Sequence, residues 1–172
     1  MKYLDVKKDG HICWVYLDRT DAMNALSTDV LKEFTEFNAA LKDDLESRVV
    51  IYAGKGDHFS AGADLKEKQK KVTKLEAWRR NFGKPAIWSF LEVDQITIAA
   101  IDGYCLGGAA CIASACDFRI ASETTLVAYP EIDLGMNLNW FGLPLLLRLV
   151  GPSRTKKMVI SGETENASDL FK

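Results

Sequence analysis

Two short stretches of the chain share an unusual arrangement in which small residues separate a strand-like apolar run from a helix-like stretch. The first covers residues 58–67 and follows the apolar run 49–53, and the second covers residues 101–110 and follows the run 96–101. Small residues at such a turn leave backbone N–H groups free and let a ligand approach the main chain. Two such turns can direct two N–H groups at one oxygen atom, which is the geometry of an oxyanion hole.

Composition narrows the class of protein. A length of 172 residues allows one domain with a real core, and the net charge of −2 argues against general nucleic-acid binding. No apolar run approaches transmembrane length, and the N-terminal residues lack the apolar region of a signal peptide. These features predict a protein that does not enter a membrane and that is cytoplasmic, or the mature form of an organellar protein.

The cysteines and histidines argue against a metal site. The chain has four cysteines and two histidines, and no two cysteines have Cys-x-x-Cys spacing. Three of the cysteines lie in the most apolar segment, so we interpret them as reduced thiols of the core. The residues concerned are Cys13, Cys105, Cys111, Cys116, His11 and His58.

Hydrophobic periodicity and turn residues predict a mixed α/β order in which strand, strand and helix recur loosely. Strands are predicted over 3–8, 11–17, 49–53, 96–101, 117–121 and 126–129. Helices are predicted after a cap at Ser27 or Thr28, over 86–93, 109–116 and 143–150, from Ser153 to near Gly162, and from Ala167.

Residues 66–80 are rich in charge, mostly lysine and arginine. One interpretation is a helix with a solvated face. The functional alternative is a mobile lid whose cations meet a phosphorylated ligand.

Four motifs, in order, resemble the crotonase family, the enoyl-CoA hydratases and isomerases. They cover residues 61–67, 103–108, 116–121 and 130–135, and residues 24–26 match the early CoA loop of that family. The resemblance implies an α/β superhelix of repeated ββα units, with residues 1–172 as a single core domain. It also implies that the C-terminal helices of the family, which close the acyl pocket and help build trimers, are missing from this chain.

The resemblance further implies that the chain binds an acyl-CoA thioester, with coenzyme A as part of the substrate and no separate cofactor. The thioester oxygen would lie between the amides of Ala63 and Gly108, and Glu131 matches the catalytic glutamate of the family. Partial desolvation of Glu131 would raise its pKa and suit it to proton transfer. Homotrimers or hexamers are implied as the assembly. The implied substrate-binding residues are Ala22, Asn24, Ala61, Lys66, Gly107 and Trp140.

This chain departs from the family pattern at two places. Cys111 stands where hydratases usually carry a second glutamate, and we interpret it as a packing residue rather than a nucleophile. Trp140 and Phe141 replace part of a glycine-rich stretch, and they either shape the acyl pocket or simply pack. Asp133 is a second carboxylate near Glu131, and its spacing predicts that it faces outward.

These features leave more than one function open. A single glutamate resembles the enoyl-CoA isomerases, in which one carboxylate moves a proton between two carbons. Hydration is the second chemistry, and it needs another group to help hold the water. A different class of function is a non-catalytic acyl-CoA-binding or scaffold protein that keeps the oxyanion turns but lacks the acid/base pair.

Overall fold

The computed structural model describes residues 1–67, 73, 75–76 and 81–170. The strands are β1 Leu4–Asp9, β2 Ile12–Leu17, β3 Val49–Gly54, β4 Ile96–Ile101, β5 Tyr104–Leu106, β6 Phe118–Ala121, β7 Leu126–Ala128 and β8 Glu165–Asn166. The larger sheet has five strands in the order β1-β2-β3-β4-β6, with the first pair antiparallel and the other pairs parallel. A smaller sheet has the order β5-β7-β8.

Helices pack against one face of the larger sheet and follow its strands. The α-helices that we name are α1 Thr28–Ala40, α2 Gly83–Leu91, α3 Gly108–Ala115, α4 Gly142–Ser161 and α5 Ala167–Leu170, and 3-10 helices cover Thr20–Ala22, Leu41–Asp43 and Pro130–Leu134. None of the helices in the described ranges is long and apolar enough to span a bilayer.

Alternation along the parallel strands explains which face is covered. In β3, Val50 and Tyr52 are buried while their neighbours are half-buried, as expected for a strand with one face on the core. Tyr52 packs against Phe34 of α1 and Phe90 of α2, with ring centroids 6.2 and 4.7 Å away. Its hydroxyl donates to Asn38, which satisfies the one polar group of this aromatic layer.

Most of the predicted elements are present. The strands predicted over 3–8 and 11–17 form the antiparallel hairpin of β1 and β2, and Ser27 is the residue that caps α1, accepting a bond of 3.4 Å from the Val30 amide. The predicted break at Gly151 is a kink with φ 75° inside α4, and Gly162 ends that helix in the left-handed region. The prediction for residues 66–80 falls mainly on positions outside the described residues.

One predicted strand boundary is wrong by one residue. Asp117 precedes β6 and is bonded to the second residue of β4: its carboxylate accepts from the amide and hydroxyl of Thr97, and its amide donates to that hydroxyl. The segment after β7 is the 3-10 helix Pro130–Leu134, which begins with proline and ends at Gly135 with φ 64°. A proline at the first helical position favours such a start.

Candidate active site

The first of the two turns of small residues, within 58–67, is bonded to the loop that precedes α1. We call it the first glycine turn, and the turn within 101–110 the second. Gly62 has φ +85°, a conformation that a side chain disfavours. The Ala61 amide donates to the Met23 carbonyl at 2.9 Å, and the Leu26 amide donates to the Gly62 carbonyl at 2.8 Å. The Asp64 amide donates to the Leu26 carbonyl at 3.1 Å. This short ladder fixes the backbone on both sides of Ala63.

Asn24 anchors that loop from inside the core. Its side chain is 1% exposed, and its Nδ2 donates to the carbonyls of Lys55 and His58 at 2.9 and 2.8 Å. Its Oδ1 accepts from the Arg19 amide at 2.9 Å. The side chain is therefore a positioning group for the turn. The role of Asn24 in substrate binding stays a prediction. Because protein groups occupy its side chain, a contact with substrate would be made by its main chain.

A partly buried ion pair closes the same loop. Arg19 Nη1 lies 2.7 Å from Asp64 Oδ2 and donates to the Ala25 carbonyl at 2.9 Å. Burial by itself raises the pKa of Asp64, but the hydrogen bonds from Arg19 and the Lys66 amide outweigh it and hold that pKa below its usual value. The carboxylate next to Ala63 is thus already partnered. The sequence does not indicate the role of Arg19, because no local motif identifies an arginine that pairs with a carboxylate 45 positions away.

The second glycine turn runs directly into α3. Gly107 has φ +52°, and its amide donates to the Ala128 carbonyl at 2.9 Å. Gly108 is the first residue of α3, a helix of eight residues of which seven are buried. The first amides of a helix have no partner within the helix, and the helix dipole adds positive potential there. The helix predicted over 109–116 is present as the buried helix α3, and its N-terminus faces the turn.

The two turns touch each other. A Cβ built on Gly62 would overlap the Leu106 carbonyl and would lie 3.5 Å from the Gly108 nitrogen, so only glycine fits here. Among the hydrogen bonds of the described residues, none uses the amide of Ala63 or of Gly108 as donor. The structure thus brings close together two amides that have no hydrogen-bond acceptor in the described part of the chain. Their convergence on one oxygen position remains a prediction.

Glu131 lies beside these amides. Its Oε1 would be 2.9 Å from a Cβ built on Gly107, and its Oε2 is buried without a hydrogen-bond partner in the described part of the chain. Burial raises the pKa of this carboxyl above its ordinary value. A carboxylate with an unused buried oxygen and a raised pKa is chemically suited to accept a proton from a bound molecule.

Cys111 is close to Glu131 but is not equivalent to a second carboxylate. Its side chain is fully buried, and burial, followed by the charge of Glu131, raises its pKa well above the ordinary value. Its Sγ fills the space that a Cβ of Gly142 would need. The thiol therefore stays neutral and packs against α4, which agrees with the interpretation as a packing residue.

The remaining predicted residues surround this centre at different depths. Trp140 is partly buried and contacts Gly108 directly, while Ala22 and Ala61 are half-buried. Lys66 is exposed, and its amide donates to Asp64 Oδ1 at 2.9 Å. Asp133 is exposed, as its spacing predicts. Within the described ranges, no three His, Cys, Asp or Glu side chains could hold a metal ion together.

The sequence of this chain is similar to those of known proteins. Residues 7–172 match the profile of the family described as Enoyl-CoA hydratase/isomerase. A crotonyl-CoA hydratase of Syntrophomonas wolfei is 34% identical, over 97% of this chain and 65% of that protein. A short-chain-enoyl-CoA hydratase of Clostridium acetobutylicum is 32% identical, over 97% of this chain and 64% of that protein.

Solved structures give the same result for the fold. An enoyl-CoA hydratase from Bacillus anthracis superposes with a TM-score of 0.90 and 30% identity, over 96% of this chain and 65% of that one. The predicted superhelical fold is thus confirmed. The chain spans about two thirds of the length of the proteins that it matches.

Proposed function

Because this chain belongs to the enoyl-CoA hydratase/isomerase family, we propose that it binds an acyl-CoA thioester and stabilises the enolate of that thioester. The observation that carries the proposal is the pair of adjacent unpaired amides, Ala63 and Gly108, beside the half-buried Glu131. An enolate places its negative charge on the thioester oxygen. Each amide that donates to this oxygen contributes about 3 kcal/mol to the transition state.

Glu131 is the acid/base group of the proposed reaction. Its carboxylate removes a proton from C2 of a 3-enoyl-CoA, and the electron pair of that C–H bond moves into the dienolate. The same carboxyl returns the proton to C4, which leaves the double bond between C2 and C3. Atoms and charge balance without a cofactor, and the raised pKa of Glu131 brings it nearer to the pKa that an acid/base catalyst needs.

The environment of Cys111 supports this double-bond shift over hydration. Addition of water ordinarily needs a water molecule held by two groups, and a neutral buried thiol that packs on Gly142 is a poor second holder. Hydration remains the second candidate, because the Syntrophomonas and Clostridium relatives are named hydratases. A non-catalytic acyl-CoA-binding protein would need the same amides but no free carboxylate, so the unpaired Oε2 of Glu131 favours an enzyme.

Exchange of the C2 protons tests the proposal most directly. We expect the intact protein to replace the C2 protons of butyryl-CoA with deuterium in D₂O, as measured by mass spectrometry, because exchange requires only the enolate and a base. Conversion of 3-hexenoyl-CoA to the 2-enoyl isomer is then compared with hydration of 2-hexenoyl-CoA. Binding of butyryl-CoA without exchange would leave only the non-catalytic function, and hydration faster than isomerisation would favour the second candidate.

We propose that the CoA part lies along the backbone of 61–63, with Lys66 near a phosphate. The exposure of Lys66 supports this, since its ammonium group is available for an ion pair. Calorimetry of CoA binding at two salt concentrations tests it, and binding that does not weaken with salt contradicts it.

We also propose that the protein forms trimers or hexamers. Large apolar side chains of α4 are exposed, which is typical of a surface that another chain or segment covers. These are Leu143, Leu147, Leu149 and Ile160, at 47, 45, 43 and 68% exposure. Light scattering that finds only monomers of the intact protein contradicts this.

A further inference from the structure

The charge of Asp64 lies next to the place where the proposed reaction develops negative charge. Asp64 directly follows Ala63, whose amide has no acceptor in the described part of the chain and belongs to the proposed enolate site. Although burial alone raises it, the hydrogen bonds from Arg19 and from the Lys66 amide hold the pKa of the Asp64 carboxyl below its usual value. Asp64 is therefore negatively charged at neutral pH, and a negative charge opposes the formation of an enolate beside it.

Arg19 supplies the positive charge that offsets this carboxylate. Its Nη1 lies 2.7 Å from Asp64 Oδ2, and the two side chains are 23% and 10% exposed. The same nitrogen donates to the Ala25 carbonyl at 2.9 Å, which fixes the guanidinium group on the loop before α1. Solvent screens a pair at this depth less than it screens a surface pair, so the balance of the two charges reaches the neighbouring site.

The lysine nearest along the chain does not take this role in the structure. Lys66 is exposed, and it bonds to Asp64 Oδ1 through its backbone amide, at 2.9 Å, and not through its ammonium group. Among the ion pairs of the described residues, the partner of Asp64 is Arg19. Loss of the guanidinium group would therefore leave the Asp64 carboxylate without its counter-charge.

We propose that Arg19 is a positioning residue whose charge balances that of Asp64, so that an oxygen held by the amides of Ala63 and Gly108 meets no net negative charge from the first glycine turn. This inference rests on the proposed enolate function. Arg19 touches neither the substrate nor the reacting atoms, and it acts through Asp64. A charge balance makes a prediction that packing alone does not. Removal of the cation and removal of the anion change the rate in opposite directions, and removal of both restores it.

The test measures deuterium exchange at C2 of butyryl-CoA by the intact protein, with kcat and KM determined separately. Arg19→Met leaves Asp64 unbalanced, and we expect kcat to fall about tenfold while KM changes less than about twofold. Asp64→Asn keeps the shape of the side chain but removes its charge, so exchange should be at least as fast as in wild type. The double variant Arg19→Met/Asp64→Asn should return kcat to within about threefold of wild type.

Arg154→Met is the matched control, because Arg154 is 29% exposed and its Nη2 pairs with the buried Glu165 at 3.0 Å. It should lower stability in denaturant unfolding as Arg19→Met does, but leave kcat unchanged. Arg19→Lys keeps the positive charge, guards against a folding defect and should hold kcat within about threefold of wild type.

Two results overturn the inference. One is a loss of rate in both Arg19→Met and Asp64→Asn that the double variant does not restore, since it would reflect lost contacts and not lost charge balance. The other is a fall of kcat in Arg154→Met as large as in Arg19→Met. If wild type does not exchange the C2 protons of butyryl-CoA at all, the proposed function itself is wrong, and the inference falls with it.

Discussion

The two sides of the site are built in different ways. On the backbone side, the Ala61–Asp64 turn is held by hydrogen bonds to Met23 and Leu26 and by the buried Asn24, and the second turn is fixed by α3. On the side-chain side, the carboxyl of Glu131 has one buried oxygen without a partner in the described residues. Within the described residues, the backbone side leaves the amides of Ala63 and Gly108 without an acceptor, and the side-chain side leaves one buried oxygen of Glu131 without a donor.

This difference separates the roles of the two sides. A donor that must not move when charge develops needs a backbone fixed before the substrate arrives, because reorganisation reduces electrostatic stabilisation. A group that carries a proton must change its charge, so hydrogen bonds that stabilise one charge state would slow proton transfer. Each prediction below changes one side and leaves the other in place, in order of decreasing expected effect.

Replacement of Glu131 by glutamine should have the largest effect. The change keeps the shape of the side chain but removes the base, so we expect the double-bond shift of 3-hexenoyl-CoA to slow by at least about a hundredfold, with KM little changed. Asp133→Asn is the matched control, since Asp133 belongs to the same 3-10 helix and is exposed. A loss in Asp133→Asn as large as in Glu131→Gln would show that the wrong carboxylate has been assigned.

Loss of the Asn24 side chain tests the backbone side. Asn24→Ala leaves the partly buried carbonyls of Lys55 and His58 without their donor, and we expect it to lower the free energy of unfolding by roughly 2 to 4 kcal/mol. Movement of the first turn should also lower kcat/KM by about thirtyfold. Denaturant unfolding and steady-state kinetics measure the two effects. The exposed Asn139→Ala should change stability by less than about 0.5 kcal/mol, and a similar loss in both variants would contradict the role of Asn24.

The two sides also differ in how far the sequence predicts them. The N-terminus of α3 follows from residues that adjoin in the chain, because Gly107 and Gly108 separate a strand from an apolar helix. The support of the first turn does not follow from local sequence. Asn24 bonds to carbonyls 31 and 34 positions away, and Trp140 meets Gly83 across a gap of 57 positions. Such pairings arise only when the elements pack, so a motif can indicate Glu131 but not the residues that surround it.

The pH dependence of the rate examines Glu131 alone. Burial raises the pKa of this carboxyl, and only the ionised form accepts a proton. We therefore expect kcat/KM to fall about tenfold for each pH unit below that raised pKa, with the inflection above the ordinary glutamate value. A pH-rate profile measures this, and an inflection at or below the ordinary value would contradict the desolvated position of Glu131.

The same shift has a consequence for stability. Because the folded state binds the Glu131 proton more tightly than the unfolded state, the contribution to stability is fully present below the unfolded pKa and is lost as pH rises through the folded pKa. Denaturant unfolding of wild type and Glu131→Gln over this range should show that the loss is smaller in the variant. Parallel curves for the two proteins would mean that Glu131 titrates alike in both states.

The smallest effect is expected at Cys111, the second residue of the side-chain side, which we interpret as a packing residue. The thiol is neutral because burial raises its pKa well above the ordinary value, and its Sγ is used in packing against Gly142. Cys111→Ala should therefore reduce the double-bond shift less than about threefold while leaving a small cavity that lowers stability by roughly 1 kcal/mol. Cys13→Ala is the matched control, since it removes an equally buried thiol from β2 of the larger sheet. Cys111→Glu restores a second carboxyl and should raise hydration of 2-hexenoyl-CoA relative to isomerisation if α3 accommodates it. A loss of turnover in Cys111→Ala that Cys13→Ala does not share would show that the Cys111 thiol takes part in the reaction. Glu131 would then not be the single reactive side chain opposite the fixed backbone.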